Sequence, residues 1–303
     1  MEQLRELVGQ ELSEPVDPRV NTLAAAIADQ HGAAARAVLF YGSCLRERQL
    51  DGLMLDFYLI VSDYRAAYRK TWLAVANRWI PPNVFPIEKD GLAAKYAVLS
   101  EADFRRECGP EARTVSVVAR FAQPSRLVWV SDDTQQPAII DSVARAAPTL
   151  LAWTLPGSGT DTTDELWKRA FSLTFGAELR AERSDRSALI VNTDPDRYER
   201  VGLAALQVIA GRRGVGPNGE VPLGMTDDQA ARWWRRMQRR GKRASVLRLA
   251  KASVTFAGGV DYIAWKINRH ADARIEIKPW QRRWPLIAAI SLLPRLLKSG
   301  AIR

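Results

Sequence analysis

The chain reads as an α+β protein: a mixed sheet with flanking helices, then a mainly helical region, then a basic amphipathic C-terminal tail. Three observations predict this. Short, nearly continuous apolar runs bounded by turn residues occupy the first part, as in Arg36–Tyr41, Leu53–Val61 and Ala93–Leu99. After Asp132 the pattern turns helical, in long segments with charged ends. The last stretch, PWQRRWPLIAAISLLPRLLKSGAIR, interleaves Trp, Leu and Ile with Arg and Lys.

The elements follow in order. Pro18–Gly32 predicts a helix, with Asp17 as its cap, Pro18 in its first turn and Gly32 as its stop. Arg36–Tyr41 predicts a strand ending at Gly42-Ser43, and after a short polar link Leu53–Val61 predicts a strand covered on both faces. Ser62-Asp63 ends that strand, and Tyr64–Trp79 is helical in pattern. Pro81-Pro82-Asn83 breaks the chain before two strands, Val84–Ile87 and Ala93–Leu99. Ser100-Glu101-Ala102-Asp103 has capping-box spacing, which gives Glu101 and Asp103 a structural use. Val115–Ala122 and Ser125–Val130 are assigned to further strands around Pro124.

Beyond this, helices are expected over Thr163–Glu182, Arg197–Arg212, Thr226–Lys251 and Asp261–Arg269. The boundary between sheet and helical regions falls between Val130 and Asp161, giving domains of 1–140 and 141–270 with the tail at 271–303. The segment ARWWRRMQRRGKRASVLRLAK is either a solvated basic helix face with Trp233 and Trp234 inward, or a surface for an anion. The tail either lies at a membrane interface or docks on the protein's own core.

Composition narrows the chemistry. The chain has 303 residues and a formal net charge of +10, which favours polyanionic partners: nucleic acid, nucleotides or an anionic membrane. Its two cysteines, Cys44 and Cys108, exclude a disulfide framework or a Cys-rich zinc site. The two histidines, His31 and His270, both sit near expected helix ends, so a Ser-His-Asp hydrolase or a His-ligated metal is not expected. Chemistry then falls to carboxylates, hydroxyls, Lys and Arg. The first residues, MEQLRELVGQELSE, are too polar for a secretory signal, and Trp284–Leu297 is broken by Pro285, Pro294 and Arg295. No membrane-crossing segment is expected, since a span needs roughly 20 apolar residues.

The stretch Val38–Asp63 concentrates the interest. A strand interior holds one acid, Asp56, and a buried carboxylate is costly unless it is paired or binds a metal. A Gly-Ser turn lets backbone approach a phosphate closely, with the Ser43 hydroxyl as an added donor. An acid on the neighbouring strand can hold Mg²⁺ against the same phosphates. Asp51, in the link before that strand, is either a partner acid for the metal or a turn residue of Asp51-Gly52, and Met54 stands two residues before Asp56.

Strand, Gly-Ser turn, link and strand with Asp resemble the layout of the polymerase-beta-like nucleotidyltransferase superfamily. More narrowly, YGSCLRERQLDGLMLDFYLIV resembles the signature of the mitochondrial-type (translocator assembly and maintenance) phosphatidate cytidylyltransferases, which also carry Met two before the Asp. Asn83-Val84-Phe85, Lys95-Tyr96-Ala97-Val98 and Arg120-Phe121-Ala122-Gln123-Pro124 are similar to later motifs of that family, the last without the family's His and Lys. LTFGAELRAE is similar to a segment centred on Asp-x-Arg, which falls on Glu178 and Arg180. The matches keep chain order from Val38 to Val201 and suit a bacterial-type relative.

The resemblance implies a CTP:phosphatidate cytidylyltransferase, making CDP-diacylglycerol and pyrophosphate with Mg²⁺ for phospholipid biosynthesis. Asp56, with Asp51 or Glu178, would hold the metal; Gly42 and Ser43 would take the triphosphate. Lys95, Tyr96, Arg120 and Arg180 would face nucleotide or phosphate, against the plainer reading of Lys95 as a strand-edge lysine and the arginines as surface or ion-pair residues. The partners would be CTP and phosphatidate, with the protein cytoplasmic and peripheral at the membrane's inner face, and nucleic acid not expected. The competing expectations are a nucleotidyltransferase with a non-lipid acceptor and an inactive relative that binds membrane or nucleic acid.

Overall fold

A computed structural model describes residues 1–47, 50–156, 162–177, 186–211 and 226–255. Its centre is a mixed sheet of five strands: β1 (Ala35–Tyr41), β2 (Met54–Val61), β3 (Asn83–Lys89), β4 (Leu92–Ser100) and β5 (Ser125–Val130). The strand order is β3-β4-β2-β1-β5. All neighbours are antiparallel except β2 and β4, which run parallel.

Alternation along the strands separates two cores. Leu39, Tyr58, Ile60 and Leu99 point to one side, Val38, Phe57, Leu59 and Val98 to the other. Both faces are covered, which is why Leu53–Val61 reads as one apolar run rather than an alternating one. The second face is covered by α2 (Pro18–Asp29), α4 (Tyr64–Ala67) and α5 (Thr71–Trp79). Asp17 caps α2 as expected, accepting a hydrogen bond from the Arg19 amide at 2.9 Å.

The first face joins a helical layer. α1 (Glu2–Leu12) and α6 (Glu101–Glu107) pack on the sheet, and α7 (Val115–Phe121) reaches it through Phe121 against Tyr41 and Tyr58; α8 (Gln136–Ala144), α9 (Ala146–Thr154), α10 (Thr163–Phe175), α11 (Arg186–Asn192) and α12 (Pro195–Gly211) pack on these helices and on one another. Every residue of α9 is buried, so the core runs without interruption from sheet to helices. α13 (Asp227–Thr255) is held against α9, where Trp234 donates its indole N–H to the Trp153 carbonyl at 2.9 Å. Its cations Arg235, Arg236, Arg239 and Arg240 are exposed while Trp234 is buried. Trp233 is partly buried against Trp153, so both tryptophans turn inward as the sequence suggests.

Three expectations are corrected, and one element is added. Val115–Ala122 is not a strand: α7 covers Val115–Phe121, with all but one of its residues buried between the sheet and α9. The apolar residues of this run suit a covered strand as well as a buried helix, and only Ser116 and Arg120, four apart, carry the helical spacing. The polar link after Gly42 holds a short helix, α3 (Ser43–Glu47). The expected helix Tyr64–Trp79 is divided into α4 and α5 because Tyr68 takes an extended conformation and turns into the second core. α1, which carried no prediction, packs Leu4, Val8 and Leu12 into the first core. The Asp261–Arg269 helix and the tail lie outside the described residues, and among the described residues no helix is long and apolar enough to cross a membrane.

Candidate functional site

Gly42 and Asp56 meet at the end of β1 and β2 on the face of the first core. Tyr41 stands opposite Asp56 in the antiparallel β1–β2 register, so the chain turns away directly beside the carboxylate. Gly42 has φ +100°, in the region that favours glycine. A Cβ there would also lie 3.2 Å from Asp56 Oδ2 and 3.4 Å from its Cβ. Both the backbone angle and the closeness of the acid therefore require this glycine.

Lys95 comes from the other side. The parallel β2–β4 register sets it beside Asp56, on the same face, and Lys95 Nζ lies 3.1 Å from Asp56 Oδ1. About a quarter of each side chain is exposed, 26% for Lys95 and 23% for Asp56, so the pair is reachable from solvent while partly desolvated. The acid in the strand interior is thus paired, as the cost of burying it demands.

Two further residues join that the sequence did not single out. Tyr41 lies between the charge of Asp56 and the guanidinium of Arg120, which hydrogen-bonds it. Burial, then the Asp56 charge and Tyr58, push the Tyr41 phenol well above its ordinary pKa, while Arg120 pulls the other way. The phenol therefore stays protonated. Ser116 fixes Arg120: its carbonyl and hydroxyl accept from Arg120 Nη1 at 2.6 and 2.5 Å. Arg120 and Ser116 share one turn of α7, so the misread strand is the element that brings this arginine to the sheet. Tyr41 carried a signal in the Tyr-Gly-Ser motif; Ser116 carried none.

The remaining sequence-predicted residues divide. Ser43 is partly buried at the start of α3, whose next residue, Cys44, is tied to β2 by its thiol on the Met54 carbonyl at 3.5 Å. Asp51 sits in a turn with its side chain 77% exposed and pairs with Arg19 of α2 at 2.9 Å. That is the turn-residue reading of Asp51-Gly52, with Gly52 at φ +75°. Tyr96 is not brought to Asp56. It follows Lys95 and so points to the opposite face, 2% exposed, where its hydroxyl donates to Gln30 at 2.8 Å and meets His31. Glu178 and Arg180 lie outside the described residues.

These residues present a carboxylate, an ammonium, a guanidinium and backbone at a strand end. Among the described residues no group of three or more His, Cys, Asp or Glu gathers to hold a metal ion. Asp56 Oδ1 is already engaged by Lys95, and Oδ2 faces Gly42. The donor set fits a hard cation that arrives with phosphate oxygens of its own and needs one protein carboxylate, which is how Mg²⁺ commonly accompanies nucleotides. It does not make a cage for a resident ion. Compared with known proteins, the chain matches no family model and no curated protein.

Proposed function

We propose that the protein is a nucleotidyltransferase that moves CMP from CTP to phosphatidate at a membrane surface. The observation that carries this reading is the convergence of Gly42, Asp56 and Lys95 at the end of β1, β2 and β4. It gives chemical sense to the Tyr-Gly-Ser and Met-Leu-Asp-Phe motifs, which otherwise resemble the cytidylyltransferases only as strings.

In this reading a phosphatidate phosphate oxygen attacks the α-phosphorus of CTP. The bond from that phosphorus to the bridging oxygen of the β-phosphate breaks, and pyrophosphate leaves with the electron pair. The acceptor oxygen is already ionised, so the protein's task is positioning and charge neutralisation rather than proton transfer. The Gly42 backbone permits close approach of the phosphates, with Ser43 offering a hydroxyl. Lys95 carries the positive charge nearest Asp56, and Arg120, held by Ser116, supplies a second cation behind Tyr41. Mg²⁺, held by Asp56 and the phosphates, would supply charge neutralisation on the leaving group. Binding of phosphate and metal would separate the Asp56–Lys95 pair and give each partner an opposite charge in exchange.

The test is to incubate the full chain with CTP, Mg²⁺ and phosphatidate vesicles and to follow CDP-diacylglycerol and pyrophosphate. Asp56→Asn is expected to lower turnover about a hundredfold or more with the fold retained, and Lys95→Met to act in the same direction. Gly42→Ala should weaken CTP use through crowding against Asp56. If the wild type consumes no CTP with any lipid phosphate, the lipid acceptor is wrong; full activity of Asp56→Asn would remove the acid from the mechanism. A second reading, a non-catalytic binding protein on this scaffold, is favoured by Asp56 being already paired with Lys95, with no metal-holding cluster of acids among the described residues. Absence of nucleotide turnover with any acceptor would select it.

A further inference from the structure

A rigid helix face points two tryptophans into solvent. On α5, Trp72, Val75 and Trp79 are 46%, 52% and 81% exposed, at spacings that set them along one stripe. The opposite side is fixed: Ala74 is buried, and buried Asn77 donates its side-chain amide to the Val98 carbonyl at 3.0 Å. The stripe is therefore not a frayed end that could fold inward. Trp79 leads directly into Ile80–Pro82, whose carbonyls are held by α13. Arg248 Nε donates to Pro81 O at 2.7 Å, and Lys251 Nζ donates to Ile80 O and to Pro82 O, the latter at 2.8 Å. Leu247, beside Arg248 on α13, is 51% exposed.

The stretch of chain that carries this apolar stripe has charge of one sign. From Tyr64 to Ile87 the chain carries Arg65, Arg69, Lys70 and Arg78 and no Asp or Glu. Arg69, Lys70 and Arg78 are exposed on and beside α5. α13 from Gln229 to Thr255 is likewise free of acids and rich in Arg and Lys. The acids of α13, Asp227 and Asp228, stand in its first turn, about twenty residues before Arg248, and α5 carries none.

From this we infer that the α5 stripe, with the adjoining end of α13, is the surface by which the protein docks on an anionic lipid bilayer. Indole rings settle at the boundary between headgroups and acyl chains, and Val75 and Leu247 add aliphatic area for insertion. Arg69, Lys70 and Arg78 meet the anionic headgroups. Single-stranded nucleic acid also takes aromatics and cations, but it uses ring faces for stacking and draws nothing from valine or leucine. A helix stripe in which aliphatic and indole side chains alternate favours lipid. The inference deepens the proposed function, which needs access to a lipid phosphate, and assigns that access to a fold-embedded helix rather than to the tail.

The test is co-sedimentation of the full chain with vesicles of phosphatidylcholine, with and without phosphatidylserine, without nucleotide. The wild type is expected to sediment with the phosphatidylserine vesicles and to be released by salt. Trp72→Ser with Trp79→Ser should weaken binding about tenfold for each indole lost. Arg69→Gln, Lys70→Gln and Arg78→Gln together should weaken it about fivefold for each charge. Circular dichroism checks that both variants stay folded; all five positions are exposed, so the fold should hold. Vesicle binding unchanged in the folded tryptophan variant overturns the proposal and assigns docking to another surface. So does a wild type that ignores vesicles, whether it self-associates or binds an oligonucleotide through these residues instead. Because sedimentation needs no turnover, an inactive protein that binds vesicles overturns the proposed function alone, and an active one that binds them independently of α5 overturns only this assignment.

Discussion

Burial disfavours a charged imidazole even at a helix end, and His31 is partly buried beside one. Its Nδ1 faces the Ala67 carbonyl at 2.9 Å, which requires the proton on Nδ1, and its Nε2 lies 3.2 Å from the Tyr96 hydroxyl. Burial lowers its pKa below 6.5, with the bond to Ala67 opposing. The unfolded chain then binds the proton more readily than the folded one. His31 thus contributes stability that is present above pH 6.5 and lost as pH falls towards the folded pKa. As pH falls below 6.5, wild-type melting temperature should drop more steeply than that of His31→Gln. Coincident profiles would show that His31 does not titrate there. The expectation that this histidine stands near a helix end came from the sequence alone, and it follows the end of α2. Tyr96 shows what sequence could not supply. Lys95 and Tyr96 are neighbours in a motif, and neighbours in a strand face opposite ways. Only the parallel register with β2 decides that the lysine goes to Asp56 and the tyrosine to His31.

Elements were legible where a period or a cap distinguished them. Asp17 and Ser100 both cap the helices they were expected to cap, Ser100 accepting from the Asp103 amide at 3.2 Å. α7 was not read as a helix, because Val115, Val117, Val118 and Phe121 also suit a covered strand and only Ser116 and Arg120 mark a helical turn; Arg120 was therefore assigned to a strand. α13 was legible as a basic helix, but not the closeness of its approach to the turn after α10. Gly241 in its middle is buried, and a Cβ there would collide with the Ala177 carbonyl. Alanine in place of a helical glycine ordinarily stabilises by up to about 1 kcal/mol. At Gly241 overpacking against backbone, about 1–3 kcal/mol, outweighs that gain. Gly211, at the end of α12, would meet nothing within 4 Å. Gly211→Ala is therefore expected to raise the denaturation midpoint slightly and Gly241→Ala to lower it. A Gly241→Ala protein as stable as the wild type would mean that α13 does not pack so closely on Ala177.

The whole molecule is joined by a contact that no local pattern announces. Arg197 of α12 is almost fully buried and forms an ion pair with Glu11 of α1, while its Nη1 donates to the Ala122 carbonyl at the end of α7 at 3.1 Å. Glu11 Oε1 also accepts from Arg197 Nη2 at 3.1 Å. One guanidinium thus ties together the first helix, the helix that carries Arg120 and the outer helical layer. In the sequence Arg197 was only the first residue of an expected helix, and Glu11 was one acid of a polar leader. A buried pair gains little over a well-packed apolar replacement, yet removing one partner strands the other. Glu11→Gln, which leaves Arg197 buried without its counter-charge, should cost about 3–5 kcal/mol in chemical denaturation. Replacing both partners, Glu11→Leu with Arg197→Met, should recover most of that loss, because no charge is then buried. The pair also predicts how damage spreads. Loosening Arg197 frees the end of α7, so under the proposed function Glu11→Gln should lower nucleotide turnover as well as stability, whereas the double variant should restore stability more fully than turnover. A double variant no more stable than Glu11→Gln would show that the pair does more than satisfy two buried charges.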